Sequence, residues 1–367
     1  MPSVNLKEII KNTIIQKAHP IGFDEFMSMA LYYPGLGYYS SGAEKFGAHG
    51  DFITAPETSD LFGYTLARQC AEVLDGGNDI LEFGAGSGVL AAQILFELGR
   101  LDKLPKTYYI LELSAELKQR QKENINKVLP ELMDRVVWLN KLPSDFSGVV
   151  IANEVLDAMP AKRVIYQNDK FIELGVGLKK DGFVWQTLPS LDNKIQSKLP
   201  ESRDEGYITE VNLQAMAWVE SLHHSIKSAL VLLIDYGMDK GEYFHQQRTD
   251  GTLRCYYQHK ATDDPFIHIG EQDITTSVNF SDVADQARQS GFTISGYATQ
   301  ALFLISLGID QYLLAEKDEK KRARLAQQVK QLVLPSAMGE SFKVLALSKN
   351  LAVEPSGFKE QDLRAKL

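Results

Sequence analysis

Short apolar runs separated by amphipathic stretches organise the chain from residue 60 onward. "DILEF" (79–83), "TYYILEL" (107–113), "RVVWLN" (135–140), "GVVIANEV" (148–155) and "ALVLLIDYG" (229–237) are continuous, not alternating, as in strands covered on both faces. "DLFGYTLARQCAEVL" (60–74) sets Leu61, Leu66, Cys70, Val73 and Leu74 near one helical face, with Ser59 or Asp60 as N-cap. "GVLAAQILFELGRL" repeats the pattern with Leu90, Ile94, Leu95 and Leu98, and the charged "SAELKQRQKENINKVL" starts at a capping Ser114. Strand alternating with helix predicts an α/β fold with a parallel, doubly wound sheet. "GFTISGYATQ" and "FKVLALSK" add a hairpin-like pair beside the helical "LLAEKDEKKRARLAQQVKQLVL", which brings the expected sheet to seven strands.

Two stretches break this rhythm. Residues 161–205 alternate in "RVIYQNDKFIELGVGL" and "GFVWQTL", the mark of an antiparallel insertion, and residues 238–280 are polar, aromatic and loop-like. The organisation expected is an N-terminal cap or lid (1–59), a first core half (60–160), an inserted antiparallel and helical substrate region (161–228), and a second core half (229–367) carrying the loop 238–280. The opening "MPSVNLKEIIKNTIIQ" spaces Leu6, Ile9, Ile10 and Ile14 as a helix and has neither a secretory apolar core nor an arginine. No run of about eighteen apolar residues occurs, so no membrane segment is expected, and the expected location is cytoplasmic.

Charge narrows the partners. Lys and Arg number 39 against 48 Asp and Glu, a formal net charge of −9, so bulk attraction to nucleic acid is not expected. Cys70 and Cys255 lie far apart without ligand spacing, which predicts free thiols, and His223-His224 has no partner cluster, so no metal is expected.

The first run ends in Glu82-Phe83-Gly84-Ala85-Gly86-Ser87-Gly88. A P-loop would need four residues between two glycines and then a lysine, and neither is present. A dinucleotide fingerprint would place Gly or Ala where Val89 stands, which weakens that reading without removing it. Three alternating glycines behind an acid resemble the first motif of class I S-adenosylmethionine (SAM) methyltransferases. There the turn lets the backbone approach the cofactor, and the acid lies near its amino-acid end. Glu112, ending the second run in "ILELS", is positioned to accept both ribose hydroxyls, a role it would share with dinucleotide enzymes. The alternative is a bare strand-to-helix turn.

The fourth run ends in "ANEVLDAMP", with Asn153, Glu154 and Asp157 at a position that faces the transferable group in a doubly wound sheet. The words "ALYYPGLGYYS", "GDFITAPETSDLFG", "LEFGAGSG", "ILELS", "IANEVLDAMP", "LLIDYG", "TLRCYYQH", "DITTSVNF", "TQALFLISLGI" and "MGESFKVLAL", in this order, resemble the MidA-like methyltransferase family. Its mitochondrial members include the arginine methyltransferase that assists assembly of respiratory complex I. Ala85 stands where the family usually has Pro, and Phe83 where it has a smaller aliphatic residue. The resemblance implies a class I, Rossmann-like SAM-dependent methyltransferase acting on a side-chain nitrogen of a protein, with arginine the residue in the characterised branch. A guanidinium resists deprotonation, so carboxylates are needed to orient it, and Glu154 with Asp157 are the candidates.

Further candidates complete the set. His259 in "TLRCYYQH" suits proton transfer near neutrality; Asp235 and Asp273 line the crevice or cap turns; Asn140 follows the third strand, where adenine contacts occur. Tyr38, Tyr39, Asp51 and Thr54 belong to a lid that excludes water. Two rivals differ in class: a SAM-binding assembly factor or chaperone with little catalysis, and an NAD-dependent dehydrogenase. A protein substrate is the expected partner, and a homodimer is compatible with the sequence.

Overall fold

Each of the seven apolar runs becomes a strand in the computed structural model, which describes residues 5–41, 54–180 and 182–367. Along one sheet they lie in the order Thr293–Thr299, Phe342–Lys349, Ile226–Met238, Phe146–Asn153, Asp79–Phe83, Tyr108–Leu111 and Val136–Leu139. The sheet counts eight strands among the described residues, not the expected seven, and the eighth, Val278–Asn279, lies off this path. At two residues it is too short to carry a hydrophobic period. The central pairings are parallel, but Phe342–Lys349 runs antiparallel to both its neighbours, so the sheet is mixed and not wholly parallel.

The helices follow the predicted faces. Asp60–Ala71 is capped by Ser59, whose hydroxyl accepts from the Leu61 N–H, and Ala115–Val128 by Ser114, which accepts from the Leu117 N–H. The expected single helical stretch near the end is two helices, Ile309–Ala315 and Glu319–Val333. They are divided where Asp318 accepts the Lys321 N–H and starts the second. Strand order reverses between Asp79–Phe83 and Phe146–Asn153, so the carboxyl ends of these two strands flank the switch-point crevice of an open α/β sheet.

The chain forms two compact units. The larger comprises Ile53–Val155, Trp218–Asp239 and Val283–Leu367 and contains the seven strands above. The smaller gathers Met1–Phe52, Leu156–Ala217 and Lys240–Asp282. Three segments read from sequence as a cap, an insertion and a loop therefore contribute to one unit. Within it, Lys170–Lys179 pairs antiparallel with Lys162–Gln167, Gly182–Thr187 and Ile21–Gly22. The stretch 238–280 is not the loop expected from its polarity: Arg254–Tyr257 pairs with Lys260–Thr262 and Asp273–Thr275. Its apolar positions Leu253, Cys255 and Ile274 join a core with Leu6, Ile10, Phe23 and Phe26, which is what orders it.

Gly148 shows how closely the two central strands approach. It pairs with Asp79 at φ +142°, and a Cβ there would stand 1.9 Å from the Asp79 carbonyl oxygen. Gly148→Ala is expected to destabilise the protein by about 2 kcal/mol or more, because the backbone it meets has no rotamer to change. An unchanged urea midpoint would contradict that close approach.

Candidate functional site

All groups of this site belong to the larger unit. The strand Asp79–Phe83 delivers the chain into a turn where Gly84, Gly86 and Gly88 take φ of +59°, +52° and +85°. Side-chain-bearing residues adopt this region at a cost of about 1–2 kcal/mol each. Space is also short: a Cβ on Gly88 would lie 3.1 Å from Gln121 Cα, and one on Gly84 would lie 3.3 Å from Val155 Cγ2. Gly88 then opens the helix Val89–Arg100.

Two buried acids bracket the turn. Glu82 accepts the Tyr108 hydroxyl at 2.8 Å, and burial raises its pKa to about 7, with the Tyr108 bond opposing the rise and the Glu112 charge adding to it. Glu112 lies at the end of Tyr108–Leu111. Burial raises its pKa too, against hydrogen bonds from the Ser114 N–H (2.9 Å) and Gln121 Nε2 (3.1 Å) and the Lys118 charge. Gln121 Nε2 also donates to the Gly86 carbonyl at 3.1 Å, and Gln121 Oε1 accepts the Trp138 indole N–H at 2.9 Å. Asn124 Nδ2 donates to the Ser87 carbonyl at 2.9 Å, and the Ser87 hydroxyl donates to Glu57 Oε1 at 2.5 Å.

Beside the turn, Phe146–Asn153 ends at Asn153, whose Nδ2 donates to Glu154 Oε1 at 3.1 Å. Asn153 Oδ1 is buried without a hydrogen-bond partner in the described structure, an acceptor suited to an incoming N–H. Glu154 holds φ +53°, and its N–H donates to the Ile234 carbonyl at 2.9 Å. The following bend is fixed by the fully buried Asp235, which accepts the Val155 N–H at 3.2 Å and the Tyr236 N–H at 2.9 Å. Asp235 thus plays the turn-capping part of its two expected roles.

The remaining candidates have varied placements. Thr54 precedes the short helix Ala55–Thr58, and its carbonyl accepts from both the N–H and the hydroxyl of Thr58. Asn140 is exposed, with Oδ1 accepting from Lys118 Nζ. Asp157 is buried in the smaller unit, its backbone carbonyl accepting the Thr276 N–H at 3.0 Å. In the same unit Tyr39 donates to the buried Asp273 at 3.0 Å. In the smaller unit His259 is exposed at φ +60° and, with Gln258 at +47°, makes the two-residue turn between Arg254–Tyr257 and Lys260–Thr262. Asp51 lies outside the described residues.

Sequence reasoning missed Glu57, Tyr108, Gln121 and Trp138. Only Gln121 left a signal: it shares the buried stripe Leu117, Gln121, Ile125 of an otherwise charged helix. The donor set fits a nucleoside. An ionised carboxylate has about four lone-pair sites, so Glu112 retains acceptor capacity for a vicinal diol beyond its protein bonds.

Comparison with known proteins bears on which nucleoside this is. Residues 65–298 match a family model described as "Putative S-adenosyl-L-methionine-dependent methyltransferase". Among curated relatives, the mitochondrial protein arginine methyltransferase NDUFAF7 of Danio rerio is 29% identical, with 94% of this chain and 87% of the relative covered. The Homo sapiens protein of the same name is 28% identical, with 91% and 81% covered. A crystal structure from Burkholderia thailandensis, described as a "likely methyl transferase" bound to S-adenosyl-homocysteine, superposes with a TM-score of 0.95 at 39% identity, with 99% of this chain and 96% of that chain covered. The cytoplasmic expectation is corrected here, because these curated relatives are named as mitochondrial proteins. The chain belongs to the S-adenosyl-L-methionine-dependent methyltransferase family.

Proposed function

We propose that this enzyme methylates an arginine side chain of a protein substrate, with Gly84, Gly86, Gly88, Glu82 and Glu112 holding the cofactor and Asn153 and Glu154 receiving the guanidinium. The arginine substrate is supported by the names of the curated relatives. The observation that carries the site assignment is the glycine turn held between two buried carboxylates by Gln121, which bonds both Gly86 and Glu112.

S-adenosyl-L-methionine supplies an electrophilic methyl group. The work left to the chain is placement and charge. Glu112 accepts the ribose hydroxyls, Glu82 faces the amino-acid end, and Asn140 and Thr54 complete the cofactor contacts. A guanidinium remains protonated at neutral pH, so it needs an ionised oxygen to orient it and to draw positive charge away from the attacking nitrogen. Glu154 supplies that oxygen and Asn153 Oδ1 a second acceptor, both held by the strand end and by Asp235. Such placement is the larger part of catalysis for an in-line transfer. Asp157 is a second carboxylate candidate, and the smaller unit as a whole is the candidate for selecting the substrate.

Two variants test this reading. Gly86→Val puts a β-branched side chain at φ +52°, in the middle of the turn proposed to meet the cofactor. Calorimetry is expected to show S-adenosylhomocysteine affinity falling roughly 100-fold, about 2.7 kcal/mol; unchanged affinity would remove the turn from the site. Glu154→Gln should bind S-adenosylhomocysteine within about threefold of the parent protein and lose methyl transfer into protein arginine by roughly 100-fold or more. Normal transfer, read as methylarginine by mass spectrometry, would deny the carboxylate its role. Tight cofactor binding by the parent protein with no transfer to any protein would favour the assembly-factor alternative.

A further inference from the structure

Gln121 occupies a position that neither the glycine motif nor the ribose acid accounts for. It is fully buried, yet its amide group has a partner for every strong hydrogen-bonding direction it uses: Nε2 donates to Glu112 Oε2 and to the Gly86 carbonyl, and Oε1 accepts from Trp138 Nε1. Two acceptors on one side and one donor on the other leave only one orientation of the amide, since a flipped amide would set oxygen against oxygen twice. Its Cα also lies where a Cβ on Gly88 would press. The side chain is therefore a fixed strut joining three elements: the glycine turn, the end of Tyr108–Leu111 and the strand Val136–Leu139.

Of the two Glu112 oxygens, Oε1 is held by the Ser114 N–H and Oε2 by Gln121. With one donor fixed on each oxygen, the carboxylate plane cannot rotate without breaking a buried bond, which costs about 1–3 kcal/mol. We infer that Gln121 is a positioning residue for cofactor recognition: it aims the Glu112 carboxylate at the ribose diol and ties that aim to the glycine turn and to Trp138. This inference rests on the cofactor assignment above and adds the residue that makes the ribose contact selective for a vicinal diol.

The charged groups around Glu112 are Lys118 on the Gln121 helix, which favours its ionised form, and Glu82 on the neighbouring strand, with which it repels. The Gln121 bond favours the ionised form as well. Its removal leaves burial less opposed, so Glu112 takes up a proton at a higher pH than in the parent protein. The diol-binding form is the carboxylate, so affinity in such a variant declines on acidification from a higher starting pH.

The test compares S-adenosylhomocysteine with its 2′-deoxyribose analogue by calorimetry from pH 5.5 to 8, using Gln121→Met and the parent protein. The inference predicts a loss of about tenfold or more for S-adenosylhomocysteine. For the deoxy analogue, whose diol is already incomplete, the loss should be under about threefold, and the acid limb for S-adenosylhomocysteine should move to higher pH. Equal losses for both ligands with an unmoved acid limb would make Gln121 a packing residue and overturn the inference. Should Gln121→Met not fold, Trp138→Phe removes only the donor that holds the Gln121 oxygen. It should shift the ligand ratio in the same direction by a smaller factor, and an unshifted ratio there also contradicts the inference. Failure of the parent protein to bind either ligand would instead strike the cofactor assignment itself.

Discussion

A buried carboxylate that carries charge must be given donors, and much of the geometry around this site follows from that requirement. Glu82 and Glu112 stand at the carboxyl ends of adjacent strands, both largely removed from water. Tyr108 serves Glu82, while Ser114 and Gln121 serve Glu112. Meeting these demands fixes where the helix Ala115–Val128 packs, because Gln121 reaches the acid only from one register of that helix. The same register brings its backbone against Gly88 and its amide to Gly86, so only glycine fits comfortably at the tightest point of the turn.

The second strand end uses a different device. The chain turns sharply at Glu154, in a conformation unusual for a side-chain-bearing residue, and Asp235 on the neighbouring strand clamps the backbone just beyond it. Such strain persists where surrounding bonds over-determine it, and functional sites are where it collects. Asn153 and Glu154 are thereby presented from a rigid sheet edge, which suits the role proposed for them of holding a planar cation in one orientation. A methyl donor at one strand end and acceptors at the next is an arrangement that the reversal of strand order makes available.

Much of this was legible in the chain. Continuous apolar runs announced the strands because both faces of the sheet are covered, and the three glycines announced themselves because positive φ excludes most other residues. Glu82 and Glu112 stood out as acids at the ends of apolar runs. Gln121, Tyr108, Trp138 and Glu57 did not, since each acts through partners 9 to 35 residues away. No local pattern encodes a bond of that span except an unexpected polar residue in an apolar stripe. The stretch 238–280 read as loop because its strands are two to four residues long, and its assignment to a core depends on Leu253, Cys255 and Ile274 meeting the N-terminal helices. The hairpin turn at Gln258 and His259 was hidden for a related reason: it lacks the Asn-Gly signature that marks many two-residue hairpins.

The central claim is that the glycine turn and its two buried acids form a receptor for the adenosyl cofactor, and a crystal structure of this protein with S-adenosylhomocysteine tests it most directly. The account predicts both ribose hydroxyl oxygens within about 2.6–3.2 Å of the Glu112 carboxylate oxygens, with the ligand's amino-acid portion lying against the Gly84–Gly88 backbone. A ribose bound away from Glu112, or a ligand seated elsewhere on the molecule, would contradict it.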